Sequence, residues 1–199
     1  MPEVPVKLYL DKILKTCRNN VSRLALIPGP VKDRALRAMA DRLARDEEAI
    51  LSANETDVDA LGKSFGGEVS KDRLKAAVAR VRVVADDVKE MAERLRIIAD
   101  RPDPVGAVTG RWERPDGLVV SRVRAPIGVI GIISELKPLV TVESIALCLK
   151  SGNLSVFRAS PDWAQTHEVI GKGLREAAQD NGIPEGAWAL IDRPEKEVA

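Results

Sequence analysis

The first fifty residues carry apolar side chains at the three-to-four-residue spacing of amphipathic helices. One apolar stripe predicts a helix from about Val4 to Leu26, and the breaking sequence Pro28-Gly-Pro30 ends it. A second stripe predicts one continuous helix that reaches Leu51. Its inward positions are Leu36, Met39, Ala40, Leu43, Ile50 and Leu51.

The predicted second helix also has a charged face, and a polar segment follows it. Mixed charges at helical spacing, from Lys32 to Glu47, predict a face in contact with solvent. The stretch from Asn54 to Gly67 is polar and ends in glycines, so it predicts a connection. Ser70 is suited to cap a third helix, and apolar repeats extend that helix to about Ala99, with Ala76 as a candidate break.

After Pro102-Asp-Pro104 the pattern changes from helical spacing to strands. The segments Val105 to Arg114 and Leu118 to Arg124 flank Pro115-Asp-Gly117, which predicts a β-hairpin. Valines alternate with polar residues in the second segment. From the pattern alone, such a hairpin can simply cover its own sheet.

Residues 126–158 predict a strand, a helix and a second strand in succession. Val129 to Ile133 is mostly β-branched and suits a strand buried on both faces. Thr141 to Lys150 has helical spacing, and Leu154 to Phe157 forms the next short apolar run. Such βαβ units bind ligands beyond the carboxyl ends of their strands. A helix from Pro161 and a third strand, Ala187 to Ile191, extend the unit.

Composition narrows the class of protein. The 199 residues are 45% hydrophobic and 31% charged, with a net charge of +1, which favours a globular protein without broad attraction for nucleic acid. No apolar run approaches the ~20 residues of a membrane span, and no signal peptide is evident, so we predict a cytoplasmic protein. Cys17 and Cys148 are predicted to be buried, reduced thiols on helices, and His167 to be a surface residue. No cluster has metal-ligand spacing, so no metal site is predicted.

Several motifs resemble those of gamma-glutamyl phosphate reductase, also called glutamate-5-semialdehyde dehydrogenase, a branch of the aldehyde dehydrogenase superfamily. They are Val123-Arg-Ala-Pro-Ile-Gly-Val-Ile-Gly-Ile-Ile133, Glu135-Leu-Lys-Pro138, Ala146-Leu-Cys-Leu-Lys-Ser-Gly-Asn153, Pro102-Asp-Pro-Val-Gly106 and Gly182-Ile-Pro-Glu-Gly186. The resemblance implies an α/β fold with N-terminal helices, a β-hairpin and a partial doubly wound, Rossmann-like parallel sheet of the aldehyde dehydrogenase type. It divides the chain into a helical part of the cofactor domain (1–101), a hairpin arm for oligomerisation (102–125) and a partial nucleotide-binding unit (126–199).

The resemblance also implies a reaction: NADPH-dependent reduction of gamma-glutamyl phosphate in proline biosynthesis. The family's nucleophilic cysteine belongs to a separate domain that this sequence does not include, and Cys148 matches a structural segment instead. We therefore predict no catalytic residue here and no activity from this chain alone. NADP is the implied cofactor. The candidate cofactor-binding residues are Ser134, Glu135, Lys137, Arg158 and Ser160.

The sequence departs from the family pattern at two places in the site. Leu139 stands where the family has an oxyanion-stabilising Asn, and leucine has no hydrogen-bond donor. Ala159, Ser160 and Pro161 follow Arg158 where the family has Gly-Gly-Ser, so close backbone approach of a cofactor is hindered. Arg158 is either a ligand of the 2′-phosphate or ribose of NADP or a plain surface charge at the end of its strand.

Two hypotheses follow from these departures. The chain is either the front part of a reductase, as a fragment or as half of a split enzyme, or a non-catalytic relative that serves as a binding or assembly module. In both cases the last strand is expected to present an open apolar edge. We expect a homo-oligomer or a complementing catalytic half to cover that edge, and neither nucleic acid nor a membrane as partner.

Overall fold

The computed structural model describes residues 5–65 and 70–191, and their first half is helical. The five N-terminal helices are α1 (Val6–Ala25), α2 (Gly29–Arg45), α3 (Glu47–Ser64), α4 (Lys71–Val81) and α5 (Ala85–Asp100). Helix α2 packs against α5 and α7 (Ala164–Gln179) through fully buried side chains such as Leu36 and Met39. None of the described helices combines the length and the apolar character needed to cross a membrane.

The boundary between α2 and α3 corrects the sequence interpretation. The predicted single helix to Leu51 is two helices that meet at Asp46, and the predicted connection from Asn54 is helical through Ser64. Polarity was misleading here because Asn54 and Asp57 face the interior, 1% and 5% exposed, where distant parts of the chain satisfy them.

The third predicted helix is also divided. Ser70 caps α4 as expected, its Oγ accepting a hydrogen bond from the Arg73 amide at 3.4 Å. The break lies at 82–84, not near Ala76. There the Val83 amide donates to Oδ1 of Asn54 at 2.7 Å, so a buried side chain replaces the helical hydrogen bond that the break removes.

The hairpin forms as predicted. Strands β1 (Val108–Glu113) and β2 (Val119–Val123) pair antiparallel, with Trp112 opposite Val120 and Glu113 opposite Val119. This places Trp112 and Val119 on opposite faces of the hairpin, and both side chains are about half exposed. The hairpin therefore presents apolar surface on each side.

The remaining elements form a small α/β unit. They are β3 (Val129–Ser134), α6 (Pro138–Lys150), β4 (Leu154–Ala159), a 3₁₀ turn (Pro161–Trp163), α7 and β5 (Trp188–Ile191). The three strands are parallel in the order β3-β4-β5, as expected of a partial doubly wound sheet. Helices α1 and α6 both pack against the central strand β4.

Burial within this sheet is uneven. Strand β4 is buried along most of its length, whereas β3 was predicted to be buried on both faces and is not, since Ile133 is 63% exposed. A β-branched run looks the same whether or not neighbours cover it. Strand β5 is an edge strand, as expected, but its residues are buried or partly buried, and the strongly exposed apolar side chains lie at and beside β3.

A cluster of buried charges, the lysine cluster, ties the helices together. Lys32 was predicted to face solvent but is 1% exposed; its Nζ donates to the Lys150 carbonyl at 3.0 Å and pairs with Asp103 at 2.6 Å. Lys150 is 4% exposed, pairs with Asp33 and donates to the Ala99 carbonyl at 2.8 Å. Each lysine thus bonds to one carboxylate and one backbone carbonyl.

Candidate ligand-binding cleft

A cleft of about 580 Å³ opens where β4 and β5 end, within the ~300–1,000 Å³ usual for small-molecule sites. The carboxyl ends of parallel strands are also where α/β sheets bind ligands. The cleft is lined by the ends of β4 and β5 and by one side of α7. Its lining residues are Arg158, Ala159, Ser160, Pro161, Ala164, Gln165, His167, Glu168, Arg175, Leu190 and Ile191.

Arg158 is the central cation of this cleft. It occupies the next-to-last position of β4, and its Nε is buried without a hydrogen-bond partner among the described residues. Leaving a buried donor unpaired costs ~1–3 kcal/mol, more for a charged group. A protein seldom keeps such a donor unless something else binds it, so the residue fits an anionic ligand in the cleft.

The N-terminus of α7 is closed to ligands. Both carboxylate oxygens of Asp57 accept hydrogen bonds there, from the Gln165 amide at 3.0 Å and from the Thr166 amide at 2.9 Å. The Thr166 hydroxyl donates to the same carboxylate at 2.6 Å. Helix N-termini commonly bind phosphate, but this one already holds a buried carboxylate from α3.

The 3₁₀ turn beside Arg158 is fixed by contacts with the C-terminal end of α4. Trp163 is buried, and its indole Nε1 donates to the Val81 carbonyl at 2.8 Å. Arg80 lies over the Trp163 ring, 5.7 Å from its centroid, and pairs with Asp162 at 2.6 Å. The acid nearest to Arg158 in sequence is therefore neutralised by Arg80.

His167 corrects a prediction, because the only histidine of the chain is buried rather than on the surface. It is 5% exposed, with Nδ1 2.9 Å from the Trp163 carbonyl and Nε2 2.8 Å from the Thr141 hydroxyl. A carbonyl can only accept, so Nδ1 carries the hydrogen and Nε2 accepts from Thr141. Burial lowers the pKa of His167 from 6.5 to about 4, against the opposing effects of the Trp163 carbonyl and the Asp57 charge. The imidazole is thus a neutral part of the cleft wall at pH 7.

Three of the predicted cofactor residues lie at the end of β3, outside the lining of the cleft. Ser134 Oγ accepts from the Leu136 amide at 3.1 Å, and Glu135 is exposed. Lys137 pairs with Asp87 at 3.4 Å. Leu139 packs partly buried against the hydrophobic core and supplies no donor, as the sequence indicated.

The other two predicted residues, Arg158 and Ser160, both line the cleft. Ser160 is 7% exposed, and its Oγ accepts from the Asp162 amide at 3.3 Å, which caps the 3₁₀ turn. Sequence reasoning did not select Glu168 or Arg175, which the helical register places on the side of α7 that faces the cleft. Both residues lie far from any strand end in the sequence, and no local motif marks either of them as a binding residue.

Neither cysteine is suited to nucleophilic chemistry. Cys17 and Cys148 are free and buried, as predicted, and burial raises the pKa of both thiols. A thiol with a raised pKa is mostly protonated near pH 7 and attacks poorly. Within residues 5–65 and 70–191, no group of three His, Cys, Asp or Glu side chains is placed to hold a metal ion.

The chain is similar in sequence to curated gamma-glutamyl phosphate reductases. It is 38% identical over 185 residues to that of Heliobacterium modesticaldum, covering 93% of this chain and 43% of the relative. It is 40% identical over 184 residues to that of a Thermoanaerobacter species, covering 92% and 42%. The chain thus spans less than half the length of these relatives and matches their N-terminal part. No family model matches it.

Solved structures agree with the sequence comparison. The crystal structure of gamma-glutamyl phosphate reductase from Thermotoga maritima superposes with a TM-score of 0.85 at 33% identity, over 95% of this chain and 44% of that one. The glyceraldehyde-3-phosphate dehydrogenase GapN from Methanocaldococcus jannaschii, complexed with NADP, superposes with a TM-score of 0.67 at 15% identity, which shows the shared fold alone. The predicted resemblance and the aldehyde dehydrogenase type of fold are confirmed.

Proposed function

We propose that this chain is the cofactor-binding part of a gamma-glutamyl phosphate reductase and binds the adenosine end of NADP in the cleft beside β4. The observation that carries the proposal is the buried Nε of Arg158, a cationic donor that the described residues leave unpaired. A phosphate oxygen in the cleft would satisfy that donor and turn an unfavourable burial into a charge-assisted hydrogen bond.

The position of Arg158 favours a 2′-phosphate over a free ribose hydroxyl. In doubly wound folds an acid after the second strand binds the ribose 2′-hydroxyl of NAD, whereas an arginine accommodates the 2′-phosphate of NADP. Here the second strand of the unit is β4, in which Arg158 is the next-to-last residue, and the nearby Asp162 is neutralised by Arg80. Ser160 still has its own hydroxyl hydrogen to donate, because accepting one bond does not use it.

The chain's own residues bind and orient the cofactor; they do not perform the reaction. Bound NADPH would supply a hydride for the reduction of gamma-glutamyl phosphate. The acyl-accepting thiol must come from elsewhere, because both thiols of this chain are buried and Leu139 offers no oxyanion donor. We therefore propose that activity requires a complementing catalytic domain, on this polypeptide or on another.

A titration with NADPH tests the binding proposal. Trp163 is the last residue of the 3₁₀ turn beside the cleft, so tryptophan fluorescence can report binding there, and calorimetry measures the same affinity independently. We expect Arg158→Gln to weaken NADPH binding by about tenfold or more, the worth of one charge-assisted bond, and to change NADH binding little. Arg111→Gln, an exposed arginine on β1, is the matched control and should bind like the original protein. No binding of NADPH at millimolar concentration would reject the proposal.

A second candidate function is assembly through the hairpin. Trp112 and Val119 expose apolar surface on opposite faces of β1 and β2, with Trp112 52% and Val119 47% exposed. A free two-stranded hairpin is marginally stable in water, so a covering surface would stabilise it. We propose that a second copy of this chain supplies that surface.

Sedimentation velocity tests the assembly proposal. Trp112→Glu places a charge in the apolar surface and should shift an oligomer to monomer. Glu113→Gln, on the opposite face beside Val119, adds no charge and should not. Sedimentation of the original protein as a monomer at 100 micromolar, a concentration on the order of that used for weak dimers, would reject assembly through this hairpin.

A further inference from the structure

Arg175 is a second cation in the cleft, and it has no assigned role. It lies on α7, lines the cleft with Arg158 and is partly buried. No ion pair or hydrogen bond of its side chain is found among the described residues. Glu168, the acid of the cleft, is seven residues away on the same helix, about two turns or ~10 Å of helical rise, beyond the i,i+4 pairing distance.

The geometry around Gly171 shows where the Arg175 side chain points. A Cβ added at Gly171 would lie 3.5 Å from Nη1 of Arg175 and 2.5 Å from Cδ1 of Leu190 on β5. The guanidinium therefore extends one turn toward the N-terminus of α7, between the helix and β5, as helical side chains generally do. Because α7 runs opposite to the parallel strands, this direction leads to the carboxyl ends of β4 and β5.

The electrostatics of the cleft depend on side chains alone. Asp57 caps the N-terminus of α7, so the Gln165 and Thr166 amides are already bonded and are not available to an anion. His167 is neutral at pH 7, because its pKa is lowered to about 4. Among the described residues that line the cleft, Arg158 and Arg175 are then the cations that remain to bind an anion, and Glu168 is the acid.

We infer that Arg175, which lines the same cleft as Arg158, is a specificity-determining ligand of the 2′-phosphate of NADP. The inference rests on the proposed function. Two guanidinium groups without carboxylate partners suit a phosphate monoester, which carries about two negative charges and three acceptor oxygens. Arg158 reaches it from the strand, and Arg175 reaches it from the helix.

Calorimetric titration with NADPH, NADH and 2′,5′-ADP tests the inference. We expect Arg175→Gln to weaken NADPH and 2′,5′-ADP by about tenfold and to leave NADH unchanged. Arg175→Lys, which keeps the charge but loses the planar geometry, should lie between Arg175→Gln and the original protein. Lys172→Gln, an exposed cation on the same helix, is the matched control and should change nothing.

The outcomes separate this inference from the proposed function. If NADPH binds, Arg158→Gln weakens it, and Arg175→Gln behaves like Lys172→Gln, the role of Arg175 is rejected and the proposed function stands. Equal weakening of NADPH and NADH by Arg175→Gln would show a structural role and reject the inference. If Arg175→Gln does not fold, Arg175→Lys becomes the test. Full NADPH affinity in folded Arg175→Lys, with an unchanged preference for NADPH over NADH, would reject the need for the planar, bidentate guanidinium of Arg175. Absence of NADPH binding by the original protein rejects both proposals.

Discussion

The lysine cluster and the candidate ligand-binding cleft differ in how they accommodate buried charge. In the lysine cluster, Lys32 and Lys150 are almost fully buried, and each bonds to a carboxylate and a backbone carbonyl. In the cleft, Arg158 buries its Nε without a partner, and Arg175 has no ion pair among the described residues. Both regions bury cations beside the same small sheet, but only one of them satisfies those cations internally.

This difference separates charges that stabilise the fold from charges that bind. A buried ion pair with all its hydrogen bonds satisfied fixes how helices pack. Removing one partner leaves the other charge buried without a compensating interaction. A buried donor without a partner contributes nothing to folding and is costly until a ligand arrives. The two regions should therefore respond oppositely to substitution, the first in stability and the second in affinity.

The largest expected effect is in the lysine cluster. Lys150→Met leaves Asp33 and the Ala99 carbonyl without their partner, and should lower the free energy of unfolding by about 3 kcal/mol, since Asp33 keeps some access to water. Urea unfolding followed by circular dichroism measures the change. Lys89→Met removes an exposed pair with Asp86 and should cost less than about 0.5 kcal/mol. Equal stability of the two variants would show that the lysine cluster is not a structural centre.

The next largest effect is a loss of stability in mild acid through His167. Its folded pKa of about 4 is below the unfolded value near 6.5, so between these values the unfolded state binds a proton that the folded state does not. The contribution of the neutral imidazole to the free energy of unfolding is fully present above pH 6.5, and it decreases by about 2 kcal/mol when the pH is lowered to 5. The unfolding free energy of His167→Asn, measured over the same range, should lack this slope. A parallel pH profile in the variant would contradict the assignment.

A smaller effect is expected at the glycine that follows α6. Gly152 has a φ of +72°, and an added Cβ would lie 2.9 Å from Cγ of Pro126. Gly152→Ala should therefore cost about 1–2 kcal/mol in left-handed strain, with the crowding added to it. Gly62→Ala is a suitable opposite control, because Gly62 lies in α3 with no atom within 4 Å of the added Cβ and should gain up to ~1 kcal/mol. If Gly152→Ala leaves the free energy of unfolding unchanged, the backbone between Lys150 and β4 is not conformationally constrained.

The smallest loss of stability is predicted for the cleft. Arg175→Gln should change the free energy of unfolding by less than about 0.5 kcal/mol, because its guanidinium has no partner to lose among the described residues. Arg158→Gln should leave the free energy of unfolding unchanged or raise it by up to ~1–3 kcal/mol, because it removes a buried unpaired donor. The same urea titrations measure this. A loss above about 2 kcal/mol in either variant would place that arginine with Lys150, as a structural residue, and would remove the contrast between the two regions.

Much of the fold could be predicted because it follows from local patterns. The apolar stripes of α1 and α5, the Ser70 cap, the Pro-Asp-Gly turn of the hairpin and the three apolar runs of the sheet all depend on neighbouring residues. Arg158 could be selected for the same reason, since a strand end is visible in the sequence. The resemblance to gamma-glutamyl phosphate reductase added the order of the elements.

Several of the errors share one physical cause, which is that polar side chains were assigned to solvent. Asn54 bonds to Thr166, 112 residues later, and Lys32 bonds to the carbonyl of Lys150, 118 residues later. No local window shows such partners, so Asn54 looked like part of a loop and Lys32 like part of a charged surface. His167 failed for the same reason, and Arg175 was missed because a helical arginine has no local feature that points to a cleft.

The Asp57 carboxylate at the start of α7 has a consequence for how easily this protein could change its ligand. The Asp57 carboxylate occupies the positive end of the helix dipole. Any attraction of the cleft for an anion therefore comes from the two guanidinium groups, which can be replaced, and not from the backbone. Exchanging those two groups would redirect the cleft toward uncharged or cationic molecules while the scaffold beneath kept every hydrogen bond. In this chain, the proposed ligand preference and the capping of α7 therefore depend on different residues.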